Sequence, residues 1–281
     1  MNKNISTFIG FDSEYEEADI VVFGSPFDGT TSFRPGTRFA PEAMRRDSYG
    51  LETYSPYQDK DLEDYKIYDG GDLDFPFGNP IKTLNIIEEY TKKVVNENKI
   101  PLMIGGEHLV SLPAIKAVYN KYSDLCIIHF DAHADLREDY LGEKLSHATV
   151  MRRVWDFVGD NKIFQFGIRS GEKEEFNWSK DHTTLNKFNL EGLDQVLEVI
   201  GDKPVYITID LDILDPSIFP GTGTIEPGGV SFNELLRGIT KLSKLNIVGA
   251  DIVELSPHYD NSGTSTAVAC KVLRELALVI K

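Results

Sequence analysis

The sequence predicts a doubly wound α/β chain with a mostly parallel sheet of about eight strands, forming a single domain over residues 1–281. Three observations carry this. Short apolar runs alternate with amphipathic stretches from end to end. Most of the runs are continuously apolar or β-branched rather than alternating, as in strands covered on both faces. The most chemically unusual residues follow directly after those runs, at the strand ends where open α/β sheets bind ligands. In chain order the strand-like runs are 20–23, 66–68, 102–104, 125–130, 162–166, 205–209 and 247–253, with a weaker candidate at 183–185. Helical stretches fall between them at 41–49, 80–96, 109–122, 148–158, 193–200, 232–242 and 264–280. No low-complexity linker, charge block or internal repeat interrupts the pattern.

The 281 residues carry 29 Lys and Arg against 45 Asp and Glu, a formal net charge of −16. That excess disfavours a nucleic-acid backbone as partner and suits a cationic small molecule. With 41% hydrophobic and 26% charged residues, the composition is that of a globular chain, not a disordered or fibrous one. No apolar run is long enough to span a membrane, and the acidic first twenty residues do not read as a signal peptide, so a cytoplasmic location is expected. Cys126 and Cys270 both lie in apolar surroundings and read as buried thiols.

Four runs deliver polar residues to one rim. Run 102–104 leads into Gly105-Gly106-Glu107-His108, and run 125–130 into Asp131-Ala132-His133-Ala134-Asp135. Run 205–209 leads into Asp210-Leu211-Asp212, and run 247–253 into Glu254-Leu255-Ser256-Pro257. The period-two spacing of Asp131, His133 and Asp135, and of Asp210 and Asp212, points each set one way if the segments are extended. So many carboxylates and imidazoles would repel one another without a cation. Divalent ions remove that cost, and an oxygen-rich, sulfur-free set suits Mn²⁺ better than structural Zn²⁺. Two ions bridged by carboxylates would share a hydroxide nucleophile.

These motifs, with Ser146-His147-Ala148-Thr149, Gly221-Thr222-Gly223-Thr224 and the first loop from Ser25 to Pro41, resemble the ureohydrolase (arginase/agmatinase) family, and most closely bacterial agmatinases. They occur in the family's order and cover the chain from Ser25 onward. The resemblance implies a three-layer α/β/α fold, two Mn²⁺ per chain, and hydrolysis of a guanidino group to urea. It places one ion on His108, Asp131, Asp135 and Asp210, and the other on His133, Asp131, Asp210 and Asp212. It makes His147 the proton shuttle and Thr224 a substrate acceptor, and suggests a homo-oligomer, trimer or hexamer. Glu254 is the natural bidentate partner of the guanidinium. One departure stands out: Ile225 follows Gly-Thr-Gly-Thr where many members have Pro.

The other candidates read more plainly. His129 is a hydrogen-bonded core residue, His182 a solvated residue of a polar turn, and His258 a rim residue outside the pocket. Glu107 supports its neighbours and is not a ligand. The Gly-rich stretch 221–229 lacks the Lys and the strand–turn–helix context of a phosphate loop and reads as pocket wall. Segment 136–144 lacks the Ser/Asn-rich loop by which arginases read an amino-acid head. Its Glu138, Asp139 and Glu143 offer negative charge for the ammonium tail of agmatine, whereas Arg137 would suit the carboxylate of guanidinobutyrate or guanidinopropionate. Agmatine is therefore the expected substrate, giving putrescine and urea in polyamine biosynthesis. The alternatives are a related guanidino-acid hydrolase or arginase, a single-zinc deacetylase of similar fold, and a binding protein that has lost catalysis. The last would be expected to lack ligands, and all six are present.

Overall fold

The computed structural model describes residues 6–280. In chain order it runs β1 (Ile20–Ser25), α1 (Ala40–Ser48), β2 (Tyr54–Ser55), β3 (Lys60–Asp61), β4 (Ile67–Asp72), α2 (Pro80–Asn96), β5 (Ile100–Gly105) and α3 (Ser111–Tyr119). It continues with β6 (Cys126–Phe130), α4 (Val150–Val158), β7 (Ile163–Ile168), α5 (Lys173–His182), β8 (Thr184–Lys187) and α6 (Leu193–Ile200). The last elements are β9 (Pro204–Asp210), α7 (Phe232–Lys241), β10 (Asn246–Val253) and α8 (Thr264–Ile280). Eight strands form one sheet in the order β4-β1-β5-β10-β9-β6-β7-β8, and β2 pairs only with β3. Every pairing in the large sheet is parallel.

Side-chain alternation explains the three layers. Along β9, Val205, Ile207 and Ile209 join the core beneath α1, α6, α7 and α8, while Tyr206 joins the core beneath α2, α3 and α4. In β5, Leu102 and Ile104 face the first layer and Met103 the second. Both faces are apolar, which is why the runs read as continuous rather than alternating.

Two differences from the sequence reading stand out. The sequence predicts no element at 173–179 and a polar turn around His182, whereas residues 173–182 form α5. A capping box between Glu172 and Glu175 starts this helix, although its surface-heavy composition hides the helical period. The short antiparallel hairpin β2–β3 has no strand-like run in the sequence. Its neighbourhood is pinned from a distance: Ser55 Oγ and Gln58 Nε2 both donate to Glu275 Oε2 of α8. The two cysteines are free and buried, as expected.

Register decides where the site lies. Ile104 pairs with Ile252, Val253 with Asp210, and Ile209 with Phe130. The carboxyl ends of the four adjacent central strands β5, β10, β9 and β6 are therefore level. The residues at or just beyond those ends share one rim, although in sequence they are spread from Gly105 to Glu254.

Candidate metal centre and active site

His108 is the buried anchor. It opens a short 3-10 turn after β5. Its Nε2 lies 3.0 Å from Thr208 Oγ1, which in turn lies 2.6 Å from Asp251 Oδ1. An ionised Asp251 only accepts, so the Thr208 hydroxyl donates to it and must accept from His108 Nε2–H. In the neutral ring, the form that binds a metal, the opposite nitrogen is then a bare lone pair. Nδ1 is buried, has no hydrogen-bond partner, and faces Asp131 Oδ2 and Asp135 Oδ2 at 3.1 Å each and Asp210 Oδ2 at 3.4 Å. A nitrogen lone pair aimed at three carboxylate oxygens is repulsive unless a cation lies among them. The donor set fits an oxygen-rich divalent site.

A second group adjoins the first. His133 Nδ1 lies 3.0 Å from Asp212 Oδ2 and 3.4 Å from Asp131 Oδ1. His133 is only partly buried, whereas Asp131 and Asp212 are buried. Asp131 thus belongs to both groups. All six expected ligands are brought together, but not by uniform extension. Asp135 has a left-handed backbone with φ 54°, and Asp212 sits in a 3-10 turn whose amide donates to Asp210 Oδ1 at 2.9 Å. Turns at the strand ends, rather than strand alternation alone, aim these carboxylates.

Neighbouring groups hold the ligands in place. Gln165 Nε2 donates to His129 Nδ1 at 3.0 Å, leaving His129 Nε2–H to donate to Asp131 Oδ2 at 2.7 Å. His129 is thus the hydrogen-bonded core residue expected, and it also orients a ligand. Ala132 N–H donates to Asp212 Oδ1 at 3.1 Å. Such outer contacts fix ligand rotamers and tautomers. The Thr208–Asp251 pair could not be found from sequence, because both residues lie within apolar strands and carry no motif.

Without cations the cluster holds protons instead. Burial and the adjacent Asp131 push Asp135 up to about 7, and burial beside Asp212 and Asp131 pushes Asp210 well above the usual range. For His133, burial acts downward, but Asp212 and Asp131 outweigh it and raise the imidazole well above its ordinary value. Metal binding at such a site releases protons.

Glu107 follows β5 and Glu254 follows β10, and both are buried. Glu107 takes the Thr30 amide at 2.9 Å and the Thr30 and Thr31 hydroxyls at 2.5 and 3.0 Å, tying the first loop to the rim. Gly106 lets that loop approach, since a Cβ there would stand 1.9 Å from Phe27 O. Glu254 is buried, has φ 66°, and its Oε1 accepts from His108 N–H at 2.8 Å. Each carboxylate oxygen carries two lone pairs, so Oε1 can accept again and Oε2 has no partner among these contacts. Burial and the nearby Glu107 push its carboxyl well up.

His147 opens the 3-10 turn before α4, with its Nδ1 3.9 Å from Glu254 Oε1. Burial, with His133 and His108 nearby, lowers it to about 4. Thr224 Oγ1 lies 3.4 Å from Asp212 Oδ2 and lines the pocket. Of the stretch 221–229, Thr224 lines the pocket, and Arg169 ties the stretch to the rim by donating to the carbonyls of Glu226 and Asp212 at 2.7 Å each.

The pocket over the ligands has a volume of about 180 Å³, and its outer wall includes Arg137, Tyr140, Ser170 and Glu175. Here the expected tail-binding acids are corrected. Glu138 pairs outward with Arg152 at 2.9 Å, Arg153 at 3.6 Å and Lys144 at 3.7 Å. Asp139 accepts from Gly142 N–H, and Glu143 lines a neighbouring cavity. Arg137 is itself neutralised by Glu172 at 2.5 Å. Local charge pairing, invisible in the sequence, turns Glu138 outward and neutralises Arg137. His258 is exposed against Phe39, away from this pocket. His182 is not simply solvated: it ends α5, stacks on Trp178 at 4.2 Å and bonds Asp160 at 2.6 Å.

Comparison with known proteins bears on this geometry. A family model described as "Arginase family" matches residues 18–279. The chain is 50% identical over 275 residues to the agmatinase of Bacillus subtilis (strain 168), covering 96% of this chain and 95% of that one. A crystal structure of a putative agmatinase from Clostridium difficile superposes with a TM-score of 0.93 at 56% identity, over 95% of this chain and 98% of that one. The agmatine ureohydrolase of Thermoplasma volcanium gives a TM-score of 0.89 at 35% identity, over 98% and 94%.

Proposed function

The chain belongs to the arginase family, as a metal-dependent hydrolase acting on guanidino groups, and from that premise we propose that it hydrolyses agmatine to putrescine and urea. The observation that carries the reading is the convergence of His108, Asp131, Asp135 and Asp210 beside His133 and Asp212 under one small pocket. His108, Asp131, Asp135 and Asp210 would hold one Mn²⁺, and His133, Asp131, Asp210 and Asp212 the other. When bound, such ions lower the pKa of water to about 7 and so supply hydroxide at neutral pH.

The residues of the chain do the rest. Glu254 attracts the guanidinium, and a cation beside it keeps its buried carboxyl ionised. Thr224 adds an oxygen at the pocket wall. His147 Nδ1 faces Glu254 and stands where a proton can reach the leaving amine. Glu175, buried and on the pocket wall, supplies negative character toward a cationic tail. The product putrescine places the enzyme in polyamine synthesis.

A urea-release assay with Mn²⁺ across agmatine, arginine, guanidinobutyrate and guanidinopropionate tests this. The highest kcat/KM is expected on agmatine. A higher value on a guanidino acid redirects the assignment within the family. A single bound Zn²⁺ per chain with deacetylation and no urea release would sink it.

A further inference from the structure

His147 is held by a loop that nothing above assigns to the reaction. Ser32 N–H donates to His147 Nε2 at 3.2 Å, and Ser32 Oγ lies 2.9 Å from the same nitrogen. The backbone donor makes Nε2 an acceptor, so the neutral ring carries its proton on Nδ1, toward Glu254 and the reaction site. When Nε2 gains a proton, the amide can no longer serve it, but the hydroxyl oxygen beside it can accept. One residue thus supports the ring in both protonation states without a change in orientation. Ser32 is exposed, and it lines both the site pocket and an adjoining cavity of about 680 Å³. Its position is built in: Glu107 holds Thr30 and Thr31, and Thr30 Oγ1 accepts from His147 N–H at 3.2 Å.

We propose that Ser32 is the positioning and proton-relay partner of His147, linking the imidazole to solvent in the adjoining cavity. The proposal rests on the hydrolytic reading above and deepens it. In the relay, Ser32 Oγ–H passes its proton to Nε2 and is refilled from water. The C–N bond then breaks with its electron pair on the leaving nitrogen, which takes the Nδ1 proton. The cycle closes when Nδ1 takes up the proton shed as the urea carbonyl forms and Nε2 returns its own through Ser32. The protons drawn from and returned to the cavity balance.

General acid–base catalysis is worth roughly 10²–10⁴-fold, and Ser32 should carry part of that, about tenfold or more in kcat. Ser32→Ala is expected to lower kcat by that factor with KM and metal content unchanged. Ser32→Thr, which keeps the hydroxyl, should return to within about threefold of wild type. In a His147→Ala background Ser32→Ala should cost nothing further, because the two act as one unit. An unchanged kcat, a loss that Thr does not restore, or an equal loss without His147 would overturn the relay. Independently of turnover, ¹⁵N NMR of the metal-free protein, with His147 assigned through His147→Ala, should show the Nδ1–H tautomer; the Nε2–H form would also overturn it. If agmatine is not turned over but another guanidino compound is, the substrate assignment fails and the Ser32 comparisons are read on that compound.

Discussion

The floor of the site and its rim are built by different physics. On the floor, His108 and Asp131 are buried and each is oriented by a further buried side chain, Thr208 for one and His129 for the other. At the rim, the charges of segment 136–144 pair with at least one exposed partner each: Glu138 with the half-buried Arg152 and Arg153 and the exposed Lys144, and the half-buried Arg137 with Glu172. Buried, hydrogen-bonded ligands tolerate little change, whereas exposed pairs contribute roughly 0–1 kcal/mol each. The comparison teaches that the residues of the floor are held tightly in place, while the charges of the rim sit on a more adjustable surface.

The comparison breaks most directly at the floor. His133→Ala should remove one ion and drop activity by roughly 10³-fold or more, taking several kcal/mol of metal stabilisation at about 1.4 kcal/mol per tenfold. Elemental analysis still finding two ions per chain would reject that ligand. Glu254→Gln comes next. Gln can still accept from His108 N–H, so the fold should hold, but one charge-assisted hydrogen bond worth roughly 1.5–3 kcal/mol is lost. We expect kcat/KM to fall about 10–10²-fold with melting temperature and metal content unchanged; a value within threefold of wild type removes the guanidinium role. Thr208→Val keeps the shape but frees His108 Nε2. Metal affinity should weaken by roughly 10–100-fold, as for other outer-contact losses, and a titration showing wild-type affinity would mean that Thr208 does not orient the ligand.

At the rim, Glu138→Gln should change kcat/KM for agmatine by less than about threefold, since exposed pairs are weak. A large selective loss on agmatine would return Glu138 to tail recognition and erase the contrast between the two regions. The smallest effect concerns Asp215 behind the pocket wall. Hydrogen bonds from the Ser217 hydroxyl and amide, with those from the Gly228 and Gly229 amides, hold its carboxyl at about 2. The folded value lies below the ordinary ~3.9 of an unfolded chain, so its stabilisation is complete above that value and is lost as pH falls toward 2. The difference in melting temperature between wild type and Asp215→Asn should therefore shrink between pH 5 and pH 2; a constant difference would show that the carboxylate charge is not what matters there.

Much of the floor was legible in the chain itself. Apolar runs ending in Gly-Gly-Glu-His, Asp-x-His-x-Asp and Asp-x-Asp determine strands with candidate ligands at their ends, because a buried parallel strand must be apolar and open α/β sheets bind beyond the carboxyl ends of their strands. The six candidate ligands follow from those motifs. The tertiary structure alone decided the rest. Strand order set β5, β10, β9 and β6 side by side, which no local pattern encodes. Thr208, Asp251 and Gln165 became supports because register places them behind His108 and His129, although each looks like an ordinary polar residue within a strand. Glu138 turned outward because Arg152 and Arg153 of α4 pass beside it. Ser32 reached His147 across 115 positions only because Glu107 anchors its loop to the rim. Residue type and local spacing are written in the chain; which distant groups share a proton, a cation or a charge depends on distances of about three ångströms that exist only once the sheet has closed its order.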